Sequence, residues 1–512
     1  MIMKLRYFSL LLLTGFAATA CNDLLNEPAE NVSYTEATNY KLSENMISPL
    51  IGAYAEFYNR GWEYFPLISL RGDDVNSGGL GDQPDFTETD YFRYNKDSWI
   101  YNSIWKEGYK DVYFTLSAED EINKYREAGA SGTLADQYIA ETKVMRAFLL
   151  HNLTRTWGDI FWPISSDPAV MLQAEITPKN EMLQKISDLM DEAIPNLPDA
   201  NPRDRSDLRG CVTKYTALAI KALVNLDLKN YQTVADVTSQ IIASGKFALE
   251  PNFYDLFCNI QTGKLNRENL LEWQFSDYGT GAGDKSTYLF GFFGPDGWTP
   301  KVAGAGGGWG FYEPSLKYIK FMLKRGERVR LETSVLFTNR GIDEIKKDAE
   351  FTVLPAWVSN TTPSGDVIND YTRALFASGK HYLPSDQLTP GRTDYGTNKN
   401  FICIRYAEIL LMHAEALTQG ATSTAMTADA AVKLVRDRAG LPVLTNVTNA
   451  QVMDEKFAEL AMEWGTRFYD LIRLEKYSEL SYDGRTFDAS KIYLPYPQTQ
   501  VDMLPALKNR NK

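Results

Sequence analysis

Two stretches of this chain set flat aromatic rings beside amides and carboxylates, on segments whose composition does not suit a regular element. The first, 71–102, offers Asp73, Asp74, Asn76, Tyr91, Tyr94, Trp99 and Asn102. The second, 278–312, offers Tyr288, Trp298, Trp309 and Tyr312 among many glycines. These residue types suit a polyhydroxylated ligand such as a sugar. The rings lie against the apolar faces of a pyranose, while amides, carboxylates and Arg fix its hydroxyls. That chemistry needs a partly exposed platform on loops held by a rigid scaffold, and glycine lets the backbone come close to a ligand. Trp298, in GPDGWTP, reads as a ligand contact. Trp309, in GWGFYEP, could equally pack the start of the next helix, and Trp105 reads as core. For Asp73–Asp74 a turn or hydroxyl-binding role outweighs calcium, because no EF-hand spacing is present.

Acid/base chemistry has a weaker case. Glu459, Glu463 and Arg467 fall at i, i+4 and i+8, so one helix from Ala450 to Tyr477 would place them on one face. The expectation is structural ion pairing, Arg467 with Glu463 and Arg473 with Asp470. In 404–417, Ile404, Leu410, Leu411, Ala414 and Leu417 form an apolar seam, with Glu408 and Glu415 expected on other faces. The three histidines, His151, His381 and His413, lie far apart in sequence. They form no His-rich metal site and no His-dependent hydrolytic set. No cofactor and no metal are expected.

The elements that must position these residues are mostly helical. Apolar spacing predicts helices over Ser43–Tyr58, Trp99–Tyr125 and Ala135–Trp157, and a run of helical hairpins from Lys179 to about Leu249. In that run Met182, Ile186, Leu189, Met190 and Ala193 form one stripe. Tyr215, Leu218, Ala219, Ala222 and Leu226 form the next, and Val234, Val237, Ile241 and Ile242 a third. Small Ala at contact positions, with Tyr231 at the turn, fits the tetratricopeptide pattern, whose helix pairs bury their apolar faces only by stacking. Further helices are expected at Ser315–Arg325, Phe401–Gln419 and Thr427–Ala439, with short strands between 330 and 400 and an extended, Pro-punctuated tail. Length alone gives a soft prior of about three domains, yet no Pro/Ser-rich linker divides the chain.

The N-terminus carries an address. MIMKLRYFSLLLLTGFAATA has a basic n-region (Lys4, Arg6), an apolar stretch from Phe8 to Phe16 and small residues before Cys21. This is the layout of a secretory signal, with an apolar stretch too short to span a bilayer. A cysteine placed there resembles a lipobox, although Ala18 stands where Leu is usual, so residues 1–20 read as a lipoprotein signal peptide and Cys21 as the lipidation site. Polar residues 21–42 read as a tether. Removing residues 1–20 takes away Lys4 and Arg6 and no acid, which moves the net charge from −13 to −15. Such a chain repels phosphate backbones, so no nucleic acid is expected as a partner. Membrane attachment would come from acyl chains rather than from charge. Cys211, Cys258 and Cys403 are too sparse for a disulfide framework.

Several C-terminal motifs now read together: RYAEILLMHAEAL (405–417), LVRDRAGLP (434–442), and ELAMEWGTRFYDLIR (459–473) followed by LPYPQTQVDMLP (494–505). With the Cys21 start and TRTWGDIFWP (154–163), they resemble the SusD/RagB family of Bacteroidetes outer-membrane lipoproteins, in the right order and over essentially the whole mature chain. The resemblance implies a mainly α fold, SusD-like, with tetratricopeptide-like helical hairpins and an irregular, loop-rich ligand-binding lobe. It divides the chain into an N-terminal region, 43–270, and a C-terminal region, 271–512, with inserted loops. It implies a lipid-anchored, surface-exposed protein of the outer membrane that captures oligosaccharide or polysaccharide and passes it to a SusC-like TonB-dependent transporter, without catalysis. Starch-binding members build an aromatic arc from the same two regions. By position Trp99 and Asn102 would form one arm and Trp298 or Trp309 the other, with Asp73 and Tyr288 also in the ligand-binding set. The alternatives are peptide or glycopeptide capture by the same architecture, and a glycan-cleaving hydrolase on a helical scaffold. The hydrolase would need two carboxylates about 5–10 Å apart across a cleft, and nothing in the sequence marks such a pair. A periplasmic protein scaffold is a further class, for which the aromatic, Gly-rich insertions would have little use.

Overall fold

The computed structural model describes residues 38–59, 64–79, 82–276, 289–388 and 397–508. The expectations for Cys21, the signal peptide, most of the tether and Tyr288 fall outside these residues.

Helices dominate, and they follow the apolar periodicity. A 3₁₀ turn, Ser43–Met46, leads into the helix Ile47–Phe57. That helix packs against a long antiparallel pair, Trp99–Glu127 and Gly132–Trp157. The second helix of the pair starts where the Ser131 side chain accepts from the Leu134 N–H, satisfying one of the amide donors that every helix start exposes. Gly158, at φ +76°, ends it. This helix is buried on nearly all sides, so its polar residues need internal partners. Arg205 Nη2 reaches Glu141 Oε1 at 2.8 Å, and the Tyr54 hydroxyl donates to Glu141 Oε2 at 2.6 Å.

The expected hairpin stack is present. Lys179–Ala193, Lys214–Asp227 and Tyr231–Ala243 follow one another, each packed on the last. Tyr406–Thr418 docks on the third, followed by Ala428–Arg438 and Asn449–Leu460. His413 is a satisfied core residue in this stack, with Nδ1 2.8 Å from Thr238 Oγ1 and Nε2 3.0 Å from the Met426 carbonyl. The strand Asn269–Trp273 pairs antiparallel with Phe401–Arg405 and crosses the 270/271 division drawn from sequence. Between 330 and 400 the short strands Val335–Phe337, Val367–Ile368 and Phe376–Ser378 appear as expected.

The single helix expected over Ala450–Tyr477 is instead two, Asn449–Leu460 and Thr466–Arg473. Met462, Trp464 and Gly465 between them all have positive φ. The cause lies in side chains far away in sequence. Lys380 Nζ donates to the Glu459 and Ala461 carbonyls (2.8 and 2.9 Å), and Arg405 Nη2 donates to the Glu459 carbonyl (2.7 Å). These carbonyls therefore need no continuing helical turn. The expected Glu463–Arg467 pair is consequently absent. Glu463 accepts from Arg405 Nε (2.7 Å) and Lys380 Nζ (2.6 Å), and Arg467 turns to Asp73. The Arg473–Asp470 pair does form, at 2.7 Å. Glu408 and Glu415 are both buried, and Glu415 is held by Lys456 and Arg473.

Candidate ligand-binding site

The two aromatic stretches are tied together by one strand pair. Val75–Gly78 runs antiparallel to Phe311–Pro314, matching Val75 with Pro314, Asn76 with Glu313 and Gly78 with Phe311. Around this seam Ser315 Oγ donates to the Asp73 carbonyl (2.6 Å) and Ser315 N–H to the Asp74 carbonyl (2.9 Å). Phe86, on the short helix Pro84–Asp90, packs edge-on against Phe292 and Phe311. One apolar cluster thus supports both arms.

The first arm carries Trp99 at the start of the long helix, 38% exposed. On the same arm the Tyr91 ring meets two guanidinium groups, Arg93 at 4.7 Å and Arg485 at 4.6 Å from the ring centre. Tyr91, Arg93, Tyr94, Gly484, Thr486 and Lys491 line an open hollow of about 430 Å³. Arg485 is fixed by a two-pronged pair to Asp90 (2.7 and 2.6 Å), the geometry in which Arg–carboxylate pairs are strongest.

The second arm is the chain from Leu289 to Gly310 with residues 369–373. Gly308 lets it fold back on itself, since a Cβ there would lie 2.5 Å from the Gly294 backbone. Gly310, at φ +72°, admits the Tyr371 ring in the same way. Trp298 is partly buried, edge-on to Tyr382 at 6.0 Å and Phe290 at 6.3 Å. Its Nε1 is buried and has no hydrogen-bond partner among the described residues. Trp309 is partly buried against Phe292. Arg373 bridges the arms, donating twice to Asp82 at 2.6 Å while lying 3.9 Å from Asp296. Glu313, at the seam, accepts from the Leu375 N–H at 2.6 Å, and burial pushes its carboxyl up to about 7.

Other sequence-stretch candidates have internal roles. Asp73 is fully buried, with Arg467 Nε at 2.6 Å and Lys317 Nζ at 2.8 Å. Burial alone would raise its pKa, but these cations hold it below the usual range. Its carboxylate therefore serves as an internal counter-charge rather than a hydroxyl acceptor. Asp74 is also buried, accepting from the Met462 N–H at 2.7 Å; burial pushes its carboxyl up to about 6. Asn102 Oδ1 accepts from Gln500 Nε2 at 2.9 Å, and Asn76 Oδ1 from the Tyr482 hydroxyl at 3.0 Å. Tyr312 is buried at φ +66° with its hydroxyl 2.8 Å from Ser69 Oγ, and Trp105 is core as expected. Sequence reasoning missed Arg373, Arg485, Thr486 and Lys491. No spacing marks them, because Arg373 meets Asp82 across 291 residues and Arg485 meets Asp90 across 395. Among the described residues no group of three or more His, Cys, Asp or Glu could hold a metal ion. No described helix is long and apolar enough to cross a membrane.

A stack of helical hairpins bearing an aromatic, loop-built lobe defines a class, and comparison with known proteins gives it a family. Residues 267–512 match the model of the SusD family. The chain is 26% identical over 525 residues to SusD-like protein P2 of Formosa agariphila, an alignment covering 96% of each. It is 22% identical over 563 residues to a SusD-like protein of Bacteroides ovatus, covering 96% of this chain and 95% of that one. Among solved structures, a laminarin binding SusD-like protein superposes with a TM-score of 0.74 at 22% identity, covering 90% of this chain and 98% of that one. Surface glycan-binding protein A from Bacteroides thetaiotaomicron, in complex with laminarihexaose, gives 0.73 at 22% identity, with coverage of 90% and 97%. At these identities the structural likeness speaks for the fold. Residues 267–512 thus carry the SusD family signature, and the chain is SusD-like over most of its length.

Proposed function

We propose that this protein is a cell-surface glycan-binding lipoprotein that captures oligosaccharide or polysaccharide without cleaving it and hands it to a SusC-like TonB-dependent transporter. The observation that carries the reading is the strand pair 75–78/311–314, which joins two aromatic arms into one lobe over a rigid helical body. Relatives named for glycan or laminarin binding support it. Trp99 is the leading stacking platform, and Trp298 and Trp309 serve on the second arm. Asn102, whose Oδ1 accepts from Gln500 Nε2, keeps its amide N–H groups for a ligand hydroxyl. Of the acids at the seam, Asp73 is taken up by Arg467 and Lys317, while Asp74 and Glu313 accept from the Met462 and Leu375 N–H groups. Cys21 carries the lipid that keeps the protein on the outer membrane beside its transporter.

The test is binding to a panel of polysaccharides, β-glucans such as laminarin included, by affinity electrophoresis and calorimetry, with an assay for reducing ends. Binding of at least one glycan with no release of sugar is expected. Sugar release that follows the protein through further purification defeats the binding-only reading, and binding of peptides alone replaces the ligand class.

A further inference from the structure

A separate hollow of about 210 Å³ opens on the other side of the chain segment that carries Lys491. It is lined by Arg155, Lys179, Asp227, Tyr469, Tyr477 and Tyr493. Lys491 borders the hollow beside Tyr91, whereas Ile492 and Tyr493 border this one. The hollow opens to solvent, and its size suits a single sugar residue. Its charge is unusual for a protein of net charge −13: four basic residues line it and two acidic ones.

The pairing of these charges leaves a defined excess. Arg155 gives Nε and Nη2 to Asp227 (2.6 and 3.1 Å), whose Oδ2 is also 2.9 Å from His151 Nε2. Arg473 is matched by Glu415 and Asp470 behind the wall, and Lys229 lies 3.7 Å from Glu475 at the mouth. That leaves Lys179 Nζ, which has no carboxylate within ion-pair distance among the described residues and lies 5.8 Å from the centre of the Tyr493 ring. Arg155 Nη1 likewise makes no hydrogen bond among the described residues, and the Arg155 guanidinium lies 4.9 Å from the centre of the Tyr469 ring. Two cationic donors therefore meet at a pocket walled by three tyrosines. An anionic group between them would form charge-assisted hydrogen bonds, and the rings offer flat faces to the body that carries it.

We infer that this hollow binds a single acidic sugar residue, its carboxylate or sulfate ester at Lys179 and Arg155 and its ring among Tyr469, Tyr477 and Tyr493. The site shares no lining residue with the aromatic lobe, so it stands or falls independently of neutral-glycan capture there.

The experiment is titration of the intact, detergent-solubilised protein with D-glucuronate, glucose 6-sulfate, glucose and inorganic sulfate, followed by ligand-observed NMR and calorimetry. Binding of glucuronate or glucose 6-sulfate but not glucose is expected, and the stronger of the two names the anion. Lys179→Ala should weaken it at least about tenfold, the scale of one charge-assisted hydrogen bond, with an unchanged melting temperature because Lys179 lies at the pocket edge. Tyr493→Ala should weaken it while Lys229→Ala, at the exposed mouth, changes it little. Absence of binding by both acidic sugars overturns the proposal, as does affinity indifferent to Lys179→Ala. Inorganic sulfate bound as tightly as glucose 6-sulfate overturns its saccharide part.

Discussion

At the residue scale, the aromatic signals in the sequence separate by what surrounds each ring. Trp99, 38% exposed on a helix start, offers a ring face to ligand while the rest of the ring packs on the body. Trp99→Ala should weaken glycan binding by roughly three- to tenfold, the worth of one aromatic contact, with a smaller loss of melting temperature than truncation of a fully buried ring. Calorimetry and a thermal melt check both, and unchanged affinity would place the platform elsewhere. Trp298→Ala is a mixed test, because that ring also packs on Tyr382 and Phe290; it should lose binding and stability together. The adjacent acids Asp73 and Asp74 read alike in sequence and behave oppositely in the fold. Asp73 meets two cations and is held low, whereas Asp74 is raised to about 6 by burial. A carboxyl raised from its unfolded value near 3.8 favours the fold fully at acid pH, and that contribution is lost as pH climbs from about 4 to about 6. Asp74→Asn keeps an acceptor for Met462 and removes the charge. Its stability relative to the parent should therefore improve between pH 4 and pH 7, read as the difference in melting temperature. A difference that stays constant across that range would refute the assignment.

At the element scale, the hairpin stack was legible because its stripes repeat at helical spacing and every stripe found a partner. The break at 461–465 was not, because periodicity runs straight through it. What ends the helix is the capture of its carbonyls by Lys380 and Arg405, residues that local spacing does not reveal. Arg405 also joins Glu268, Glu459 and Glu463 in a buried cluster with Arg330 and Arg438. Removing one member strands its partners without counter-charge, so Arg405→Ala should cost about 3–5 kcal/mol in chemical denaturation. The glycines of the second arm were read as permission for close approach, and Gly308 shows where that permission is spent. Gly308→Ala forces a Cβ to within 2.5 Å of Gly294. It should destabilise the lobe by about 1–3 kcal/mol and weaken glycan binding while the helical signal in circular dichroism persists.

At the scale of the whole molecule, the sequence located both aromatic stretches and left open what joins them, since strand pairing across more than two hundred residues leaves no periodic trace. The far tail was read only as extended. In the fold it laces the body: Leu494 N–H donates to the Thr156 carbonyl, Trp157 Nε1 to the Pro495 carbonyl, and the Tyr496 hydroxyl to the Asp159 carbonyl. The proposed lipid anchor belongs to this scale as well. Cys21→Ala should convert a membrane-bound, protease-accessible protein into one released from the membrane fraction; retention there would show that another part of the chain provides attachment.

The Asp90–Arg485 pair that braces the first arm closes across 395 residues. The first arm is therefore braced only when the C-terminal segment is in place, however much of the helical body has already assembled. A chain cut short before Arg485 would keep its helix pairs and lose the brace of its ligand-holding arm.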